Sequence, residues 1–167
     1  MADTILLIDD DESLRRVTEY NLSGAGFNLI TAGSGRQGLD FFNKNNPDLV
    51  ITDVKLGDMD GLEVLAAIKR ESPETPVIVI TAFGSIEMAV KAMHEGAFNF
   101  ITKPFDRETL RLSCSKALEL GSLRSQKKQL AEEVDRLTGT SGMETANSAM
   151  AELLETAFKV ASSEATV

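Results

Sequence analysis

Short apolar runs alternate with amphipathic stretches through about residue 120 of the chain. This alternation predicts βαβ units, in which crossover helices join parallel strands. We predict strands near residues 4–9, 27–31, 48–53, 77–81 and 98–102. We predict helices near residues 12–25, 34–45, 60–71, 85–95 and from 106 onward. These elements together indicate an α/β domain of three layers, built on a doubly wound, five-stranded parallel sheet.

The fourth and fifth helices have distinct apolar patterns. The fourth carries Ile86, Ala89, Val90 and Met93 at helical spacing. The fifth can begin at a cap from Asp106, and no proline or strong loop signal stops it before Gly139. Apolar residues then occupy the a and d positions of a heptad pattern, at Leu120, Leu123, Leu130, Val134 and Leu137.

This heptad pattern predicts a parallel two-stranded coiled coil over residues 121–138. Lys127 occupies the remaining a position, and a lysine there favours a coiled coil of two helices at some cost in stability. Glu119 at a g position can meet Arg124 of the partner helix. The alternative is a helix that packs on its own domain, and Gly121 early in the pattern keeps that alternative open.

The composition changes after the heptads. Residues 138–142, Thr-Gly-Thr-Ser-Gly, are typical of a flexible joint. One more amphipathic helix is predicted near residues 147–161, and it has nothing of its own to pack against. We interpret residues 139–167 as the truncated start of a second domain.

Charge and composition exclude several classes of protein. The net charge of −9 argues against direct binding of nucleic acid, which normally requires a basic patch. No apolar run reaches the roughly 18 residues of a membrane span, and no signal peptide is evident. The single cysteine, Cys114, excludes an internal disulfide and fits a reducing compartment. We therefore expect a cytoplasmic protein that does not contact a membrane.

Reactive side chains follow four of the predicted strands. Asp9, Asp10 and Asp11 follow the first strand, and Asp53 ends the third. Thr81 ends the fourth strand and Lys103 follows the fifth. Because the carboxyl ends of parallel strands form the binding edge of an open α/β sheet, these groups should converge there.

The converging groups suit phosphoryl chemistry with a divalent cation. Asp9 or Asp10, together with Asp53, can hold one Mg²⁺, which needs only one or two carboxylates plus phosphate oxygens. Asp53 can also act as a nucleophile and form an acyl phosphate. Lys103 would neutralise the charge of the transition state, and the Thr81 hydroxyl would donate a hydrogen bond to it.

The motif set resembles that of the response-regulator receiver domain. The motifs are Ile8-Asp9-Asp10-Asp11, Thr52-Asp53-Val54, Met59-Asp60-Gly61-Leu62, Ile80-Thr81-Ala82 and Lys103-Pro104-Phe105. From this resemblance we predict a receiver domain over residues 1–120. The resemblance itself covers about residues 3–120 and implies the flavodoxin-like strand order 2-1-3-4-5. It implies a regulatory phosphoacceptor domain rather than an enzyme, capable at most of catalysing its own phosphoryl transfer and dephosphorylation.

The resemblance also implies a role for each site residue. Asp53 is the acceptor of a phosphoryl group from a sensor histidine kinase. Asp9 and Asp10 form the acidic pair that holds Mg²⁺ with Asp53 and the backbone carbonyl of Lys55, and Asp10 is the direct ligand of that pair. Thr81 and Lys103 bind the phosphoryl group. Phe100 matches the aromatic switch position, where its ring turns inward when the site is loaded.

Finer matches resemble the receivers of NtrC-type, sigma-54-dependent transcription activators. They include Thr81-Ala82-Phe83-Gly84-Ser85 and Gly96-Ala97-Phe98-Asn99-Phe100, and residues 139–167 are similar to the start of the central AAA+ ATPase domain. The resemblance implies a homodimer through the linker helix, and possible pairing through the face of the fourth helix, fifth strand and fifth helix. It also implies that phosphorylation changes dimerisation and regulates an attached ATPase, whose nucleotide-binding loop this chain lacks.

Three features depart from the family pattern or suggest other functions. Gly57 stands where the family usually has proline, so the surrounding loop should be more mobile. A Mg²⁺-dependent aspartyl-phosphate phosphatase is the alternative function, but it needs an aspartate at the position of Lys55. Residues 33–38 match the G-x-G-x-x-G fingerprint of dinucleotide binding, although they lie in the second βα unit rather than the first. A flavodoxin-like cofactor binder would share the topology.

Overall fold

The computed structural model describes residues 2–138, which contain five strands and five helices. The strands are β1 (Thr4–Ile8), β2 (Asn28–Ala32), β3 (Leu49–Asp53), β4 (Val77–Thr81) and β5 (Asn99–Thr102). The helices are α1 (Glu12–Ser23), α2 (Gly35–Asn45), α3 (Gly61–Glu71), α4 (Ile86–His94) and α5 (Arg107–Thr138). Every strand and helix predicted within these residues is present, whereas the predicted helix near 147–161 and the rest of 139–167 lie outside them.

The five strands form one parallel sheet in the order β2-β1-β3-β4-β5, which confirms the predicted topology. Strands β1, β3 and β4 lie inside the sheet, and they are apolar along most of their length because both of their faces are covered. Ile8 pairs with Thr52, Asp53 with Ile80, and Thr81 with Thr102. The strands therefore end together at one edge of the sheet.

Alternate residues of the inner strands pack into two separate hydrophobic cores, one on each face of the sheet. On one side, Leu6 and Val50 pack with the buried residues of α3. On the other side, Ile5 and Ile51 pack with buried residues of α1 and α5. The buried helix residues are Leu62, Val64, Leu65 and Ile68 of α3, Leu22 of α1, and Leu110, Cys114, Ala117 and Leu118 of α5. This arrangement confirms the predicted three layers.

Helix α4 is less buried than its apolar pattern would suggest. Ile86 is 85% exposed, Val90 63% and Met93 48%, and Ala92 is the buried residue of this helix. Met88 packs against the core from a partly buried position. The helical spacing was predicted correctly, but much of the apolar stripe lies on the surface rather than against the sheet.

Helix α5 continues to Thr138, as its lack of a stop signal predicted. The described residues divide into two units, with the boundary between Ser125 and Gln126. Within the first unit, a side chain at Gly121 would come within 3.2 Å of Pro76, so this early turn of the heptad segment packs on its own domain. The heptad residues Leu123, Leu130, Val134 and Leu137 are more than half exposed. In the described part of the chain, no helix is long and apolar enough to cross a bilayer.

Candidate functional site

The three consecutive aspartates after β1 have different surroundings. Asp9 is buried, and its carboxylate accepts a hydrogen bond from the backbone N–H of Asp11 at 2.9 Å. Asp10 is exposed. Asp11 caps α1, because its carboxylate accepts from the backbone N–H of Leu14 at 3.0 Å. Two of the three acids therefore belong to the site, and the third begins the helix.

A lysine bridges the two buried carboxylates. The Nζ atom of Lys103 lies 3.0 Å from Oδ2 of Asp9 and 2.5 Å from Oδ2 of Asp53. Asp53 is 8% exposed, and its Oδ1 atom accepts from the backbone N–H of Lys55 at 3.1 Å. The fold thus brings together residues 94 and 50 positions apart along the chain. The predicted convergence of Asp9, Asp53 and Lys103 is present in the structure.

The carboxylates also fit a divalent cation. One carboxylate oxygen from each of Asp9, Asp10 and Asp53 lies within 4.8 Å of the other two. Oxygen donors at this spacing suit a hard cation such as Mg²⁺. Lys103 contacts two of these three carboxylates, so negative charge is in excess at this edge. A cation here would be attracted by that excess of negative charge.

Burial and charge shift the pKa values of the lysine and of one aspartate. Burial raises the pKa of Asp9 above its usual value, and the neighbouring Asp53 charge adds to this, although Lys103 and the Asp11 amide act against it. Burial alone would lower the pKa of Lys103, but its hydrogen bonds to Asp53 and Asp9 outweigh burial and raise it. Lys103 therefore stays charged at neutral pH.

Thr81 and Lys55 flank Asp53 but do not bond to its carboxylate through their side chains. Thr81 is buried at the end of β4, and its hydroxyl accepts from the backbone N–H of Phe83 at 3.1 Å. The Lys55 ammonium lies 3.9 Å from the centre of the Phe83 ring. Such cation–π contacts stabilise a charged group over an aromatic face. No motif or spacing in the chain predicted this contact.

Phe100 lies partly buried, between the core and the surface. It packs against the core cluster of α3 and the inner strands. A side chain on Gly84 would come within 3.3 Å of its ring. The predicted switch residue thus borders the loop between β4 and α4. Its predicted rotation on loading stays a prediction.

The loop between β3 and α3 returns tightly onto Asp53. Lys55 pairs with Asp60 in an antiparallel bridge, and the Gly61 N–H donates to the carbonyl of Val54 at 2.7 Å. A Cβ atom on Gly61 would lie 1.9 Å from the carbonyl oxygen of Asp53. Glycine is therefore required at position 61, which explains why the motif after the acceptor contains it.

The glycines of residues 33–38 serve packing. A Cβ on Gly35 would meet the Met59 side chain at 2.3 Å, and one on Gly38 would meet Ile8 at the same distance. The backbone N–H groups of Gly35 and Arg36 donate to the Asp58 carboxylate at 2.8 and 2.9 Å. In a dinucleotide site these amides would face a pyrophosphate. Here a carboxylate of the same chain takes that place, which argues against dinucleotide binding.

A fold of this topology with a lysine-bridged aspartate at its carboxyl edge defines a class of regulatory phosphoacceptor domain. A family model described as the response regulator receiver domain matches residues 5–114. The chain belongs to the response regulator receiver family.

Several curated transcriptional regulators are similar to this chain. It is 42% identical over 115 residues to the transcriptional regulatory protein GlrR of Escherichia coli, covering 69% of this chain and 26% of that protein. It is 32% identical over 163 residues to the regulatory protein AtoC of Escherichia coli, covering 98% and 35%. It is 42% identical over 100 residues to the DNA-binding transcriptional regulator NtrC of Klebsiella pneumoniae, covering 60% and 21%. The expected resemblance to receivers of the NtrC type is confirmed, and the chain spans about a third or less of these relatives.

Solved structures agree. NtrX from Brucella abortus is 38% identical with a TM-score of 0.72, and the match covers 78% of this chain and 30% of that one. A response regulator receiver domain protein from Clostridium thermocellum is 33% identical with a TM-score of 0.70, covering 72% and 98%. The receiver fold is therefore shared over the first three quarters of the chain.

Proposed function

We propose that this chain is a phosphorylation-dependent switch of a two-component system, in which a sensor histidine kinase transfers a phosphoryl group to Asp53. The observation that supports this most directly is the Lys103 ammonium, which contacts both Asp53 and Asp9 beside the exposed Asp10. This arrangement matches what phosphoryl transfer to a carboxylate requires: a nucleophile, a fixed positive charge and room for a cation.

Asp53, Lys103 and Thr81 each have a separate role in the proposed phosphoryl transfer. A carboxylate oxygen of Asp53 attacks phosphorus, a P–O bond forms, and the P–N bond to the histidine of the kinase breaks. Lys103 holds its charge beside the acceptor and neutralises the negative charge that develops on the equatorial phosphoryl oxygens. Thr81 lies at the end of the neighbouring strand, and its hydroxyl, which accepts from the Phe83 amide, keeps its own hydrogen to donate to a phosphoryl oxygen.

Mg²⁺ is the cofactor that the acidic residues fit. Asp9, Asp10 and Asp53 would hold it together with the backbone carbonyl of Lys55. Of the pair Asp9 and Asp10, Asp10 is the direct ligand in this proposal, because both carboxylate oxygens of Asp9 already accept hydrogen bonds and Asp10 is exposed. When bound, the cation supplies charge neutralisation between carboxylate and phosphoryl oxygens.

Loading of Asp53 would act on the α4 surface. Phosphorylation shifts an equilibrium between two conformations. Thr81 and Phe100 flank the β4–α4 loop, so their movement would change the position of α4. The exposed apolar residues Ile86, Val90 and Met93 would then pair with the same face of a second chain, together with β5 and α5. Altered dimerisation is the proposed output.

The remaining residues would connect this output to an effector. We propose residues 1–120 as the receiver domain, 121–138 as a coiled-coil linker and 139–167 as the start of a central AAA+ ATPase domain. The exposed heptad residues Leu123, Leu130 and Leu137 support pairing of the linker with a second copy. In the full-length protein, phosphorylation would thereby regulate a sigma-54 activator ATPase.

The phosphatase alternative has less support. It needs a carboxylic acid two residues after Asp53 to protonate the leaving group. Lys55 stands there, and its ammonium lies over the Phe83 ring.

Loading with acetyl phosphate and Mg²⁺ tests the proposal. Intact-mass measurement should show one added phosphoryl group on the wild-type chain and none on Asp53→Asn. Asp48→Asn is a matched control, because Asp48 lies at the opposite edge of the sheet and accepts from the Thr4 amide. Equal loading of wild type and Asp53→Asn would refute the assignment of Asp53, and loading lost in Asp48→Asn as well would show an effect of stability alone.

A further inference from the structure

Asp58 joins two loops that the established family motifs leave unconnected. Its two carboxylate oxygens accept from the consecutive backbone N–H groups of Gly35 and Arg36, at 2.8 and 2.9 Å. The first residue of α2 is Gly35, and its N-cap Ser34 already accepts from Gln37. The Ser34 side chain does not bond to the N–H groups of Gly35 and Arg36. Asp58 accepts from both of them, from a loop that lies 22 residues further along the chain than Arg36.

The same loop carries the backbone that surrounds the acceptor. It leaves β3 at Asp53, passes Lys55 and returns to Gly61 at the start of α3. Both ends are held, by the Lys55–Asp60 bridge and by the bond from Gly61 to Val54. Between them lies Gly57, where an added Cβ atom would have no neighbouring atom within 4 Å. Asp58 is the next residue, so its two bonds anchor the part of the loop that packing leaves open.

The anchor has additional support from packing and from electrostatics. Met59 fills the space beside Gly35, where a Cβ would lie 2.3 Å from its Cγ atom. The partial positive charge at a helix N-terminus favours a carboxylate. The two amide hydrogen bonds lower the pKa of Asp58 below its usual value, so it is ionised at neutral pH.

We propose that Asp58 is a positioning residue for the phosphoacceptor site, and that it fixes the β3–α3 loop to the first turn of α2 so that the Lys55 backbone meets Asp53 and the cation. The part of this inference that concerns the cation rests on the proposed function. The Lys55 N–H already donates to Asp53 in this structure, and the Lys55 carbonyl would ligate the cation. Loosening the loop would move both groups together.

Two variants separate this role from ordinary helix capping. Asp58→Ala removes both acceptor oxygens, and Asp58→Asn keeps one. Asp48→Ala is the control, because it also deletes a carboxylate that accepts a backbone N–H across a long sequence separation, from Thr4 at 2.8 Å, but at the far edge of the sheet. All three are made in the full chain. Thermal unfolding of each variant measures the loss of stability that any lost hydrogen bond produces.

The first measurement uses the metal-free protein. Amide hydrogen exchange should accelerate at Lys55, Gly35 and Arg36 in Asp58→Ala, by about tenfold or more, and should stay unchanged there in Asp48→Ala. Asp58→Asn should be intermediate. Unchanged exchange at Lys55 in Asp58→Ala would overturn the proposal, since the loop would then be held without Asp58.

The second measurement is Mg²⁺ binding by calorimetry, alone and with beryllofluoride. Loss of a residue that orients a ligand commonly weakens metal affinity by about 10–100-fold, and we expect the lower part of that range for Asp58→Ala. Affinity equal to that of Asp48→Ala would overturn the proposal. If the wild-type chain itself binds no Mg²⁺, the proposed function fails, while the exchange measurement still decides whether Asp58 holds the loop.

Discussion

Helices α3 and α4 have similar apolar patterns, but the apolar residues of α3 are buried and most of those of α4 are exposed. In α3, Leu65 and Ile68 are completely buried, whereas in α4 Ile86 and Val90 are 85% and 63% exposed. The entry into α3 is held by a capping box of Asp60 and Glu63 and by the close approach of Gly61 to Asp53. Helix α4 has a single serine cap. One helix therefore supports the acceptor loop, and the other retains apolar surface for a partner.

This difference has a thermodynamic consequence. A buried helix face contributes to the free energy of unfolding in the single chain, but an exposed apolar face contributes only when something covers it. A helix whose apolar residues are largely uncovered can shift without disrupting the core. We infer that α3 is the fixed element beside the site and α4 the movable one.

Thiol reactivity should show the largest effect. Cys114 is fully buried on α5, and burial raises the pKa of its thiol to about 12. Because the thiolate is the reactive form and an ordinary cysteine has a pKa of about 8.5, labelling at about pH 8 should be about a thousandfold slower than for a free cysteine. A cysteine introduced by Ile86→Cys on α4 should react at the ordinary rate.

Labelling kinetics with a chromogenic disulfide reagent distinguish the two thiols, with wild type as the control for Ile86→Cys. One fast and one slow phase are expected in the variant. Fast labelling of wild-type Cys114 would contradict the enclosed position of this residue. The pKa of the Cys114 thiol is higher in the folded chain than in the unfolded chain. The stability linked to this thiol is therefore fully present below the pKa of the unfolded chain and is lost as the pH rises towards about 12.

Truncation of an isoleucine in each helix should affect stability very differently. Ile68→Ala creates a cavity in the core and should lower the free energy of unfolding by about 2–5 kcal/mol. Ile86→Ala changes an exposed residue and should alter it by less than about 0.5 kcal/mol. Urea unfolding followed by circular dichroism gives both values. Similar losses in the two variants would mean that the α4 stripe is covered in solution.

A charge on the α4 stripe should weaken association of the loaded protein. Val90→Lys would place an ammonium in the proposed interface, and the cost of burying it should raise the dimer dissociation constant by about tenfold or more. Val17→Lys is the matched control, because Val17 on α1 is similarly exposed, at 57% against 63%. Sedimentation with beryllofluoride and Mg²⁺ measures the effect. Equal weakening by both variants would remove α4 from the interface.

Glycines before the two helices should give the smallest effects, with opposite signs. Gly57→Ala meets no atom and should stabilise by about 0.4–1 kcal/mol, because it restricts the unfolded chain. Gly84→Ala would place a Cβ 2.3 Å from the Thr102 side chain and should destabilise by about 1 kcal/mol. Thermal unfolding compares them. A destabilising Gly57→Ala would show that this loop is tighter than its open surroundings indicate.

Much of the fold follows from local patterns in the sequence. The runs at β1, β3 and β4 are apolar because both faces of an inner parallel strand are covered, so their positions were predictable. Asp9, Asp10, Asp53, Thr81 and Lys103 could be assigned to one edge because each ends or follows a strand. The full extent of α5 followed from the absence of a stop signal before Gly139.

Other features depended on distances that no local pattern contains. The residue pattern alone does not separate Asp11 from its acidic neighbours, whereas the hydrogen bond from the Leu14 amide shows that Asp11 caps α1. Neither the Asp58 link to α2 nor the Lys55 contact with Phe83 has a sequence signature, because each joins separate loops. The exposure of α4 was equally hidden, since helical spacing shows that a face is apolar but not what covers it.

The sequence by itself determined which segments form strands and helices and which side chains reach the edge of the sheet, because these depend on periodicity and on strand ends. Only the tertiary structure decided which acids face each other, which glycines allow close contacts and which apolar face stays uncovered. Those outcomes depend on packing between segments far apart in the chain, and packing distances are set by the whole fold rather than by any one segment.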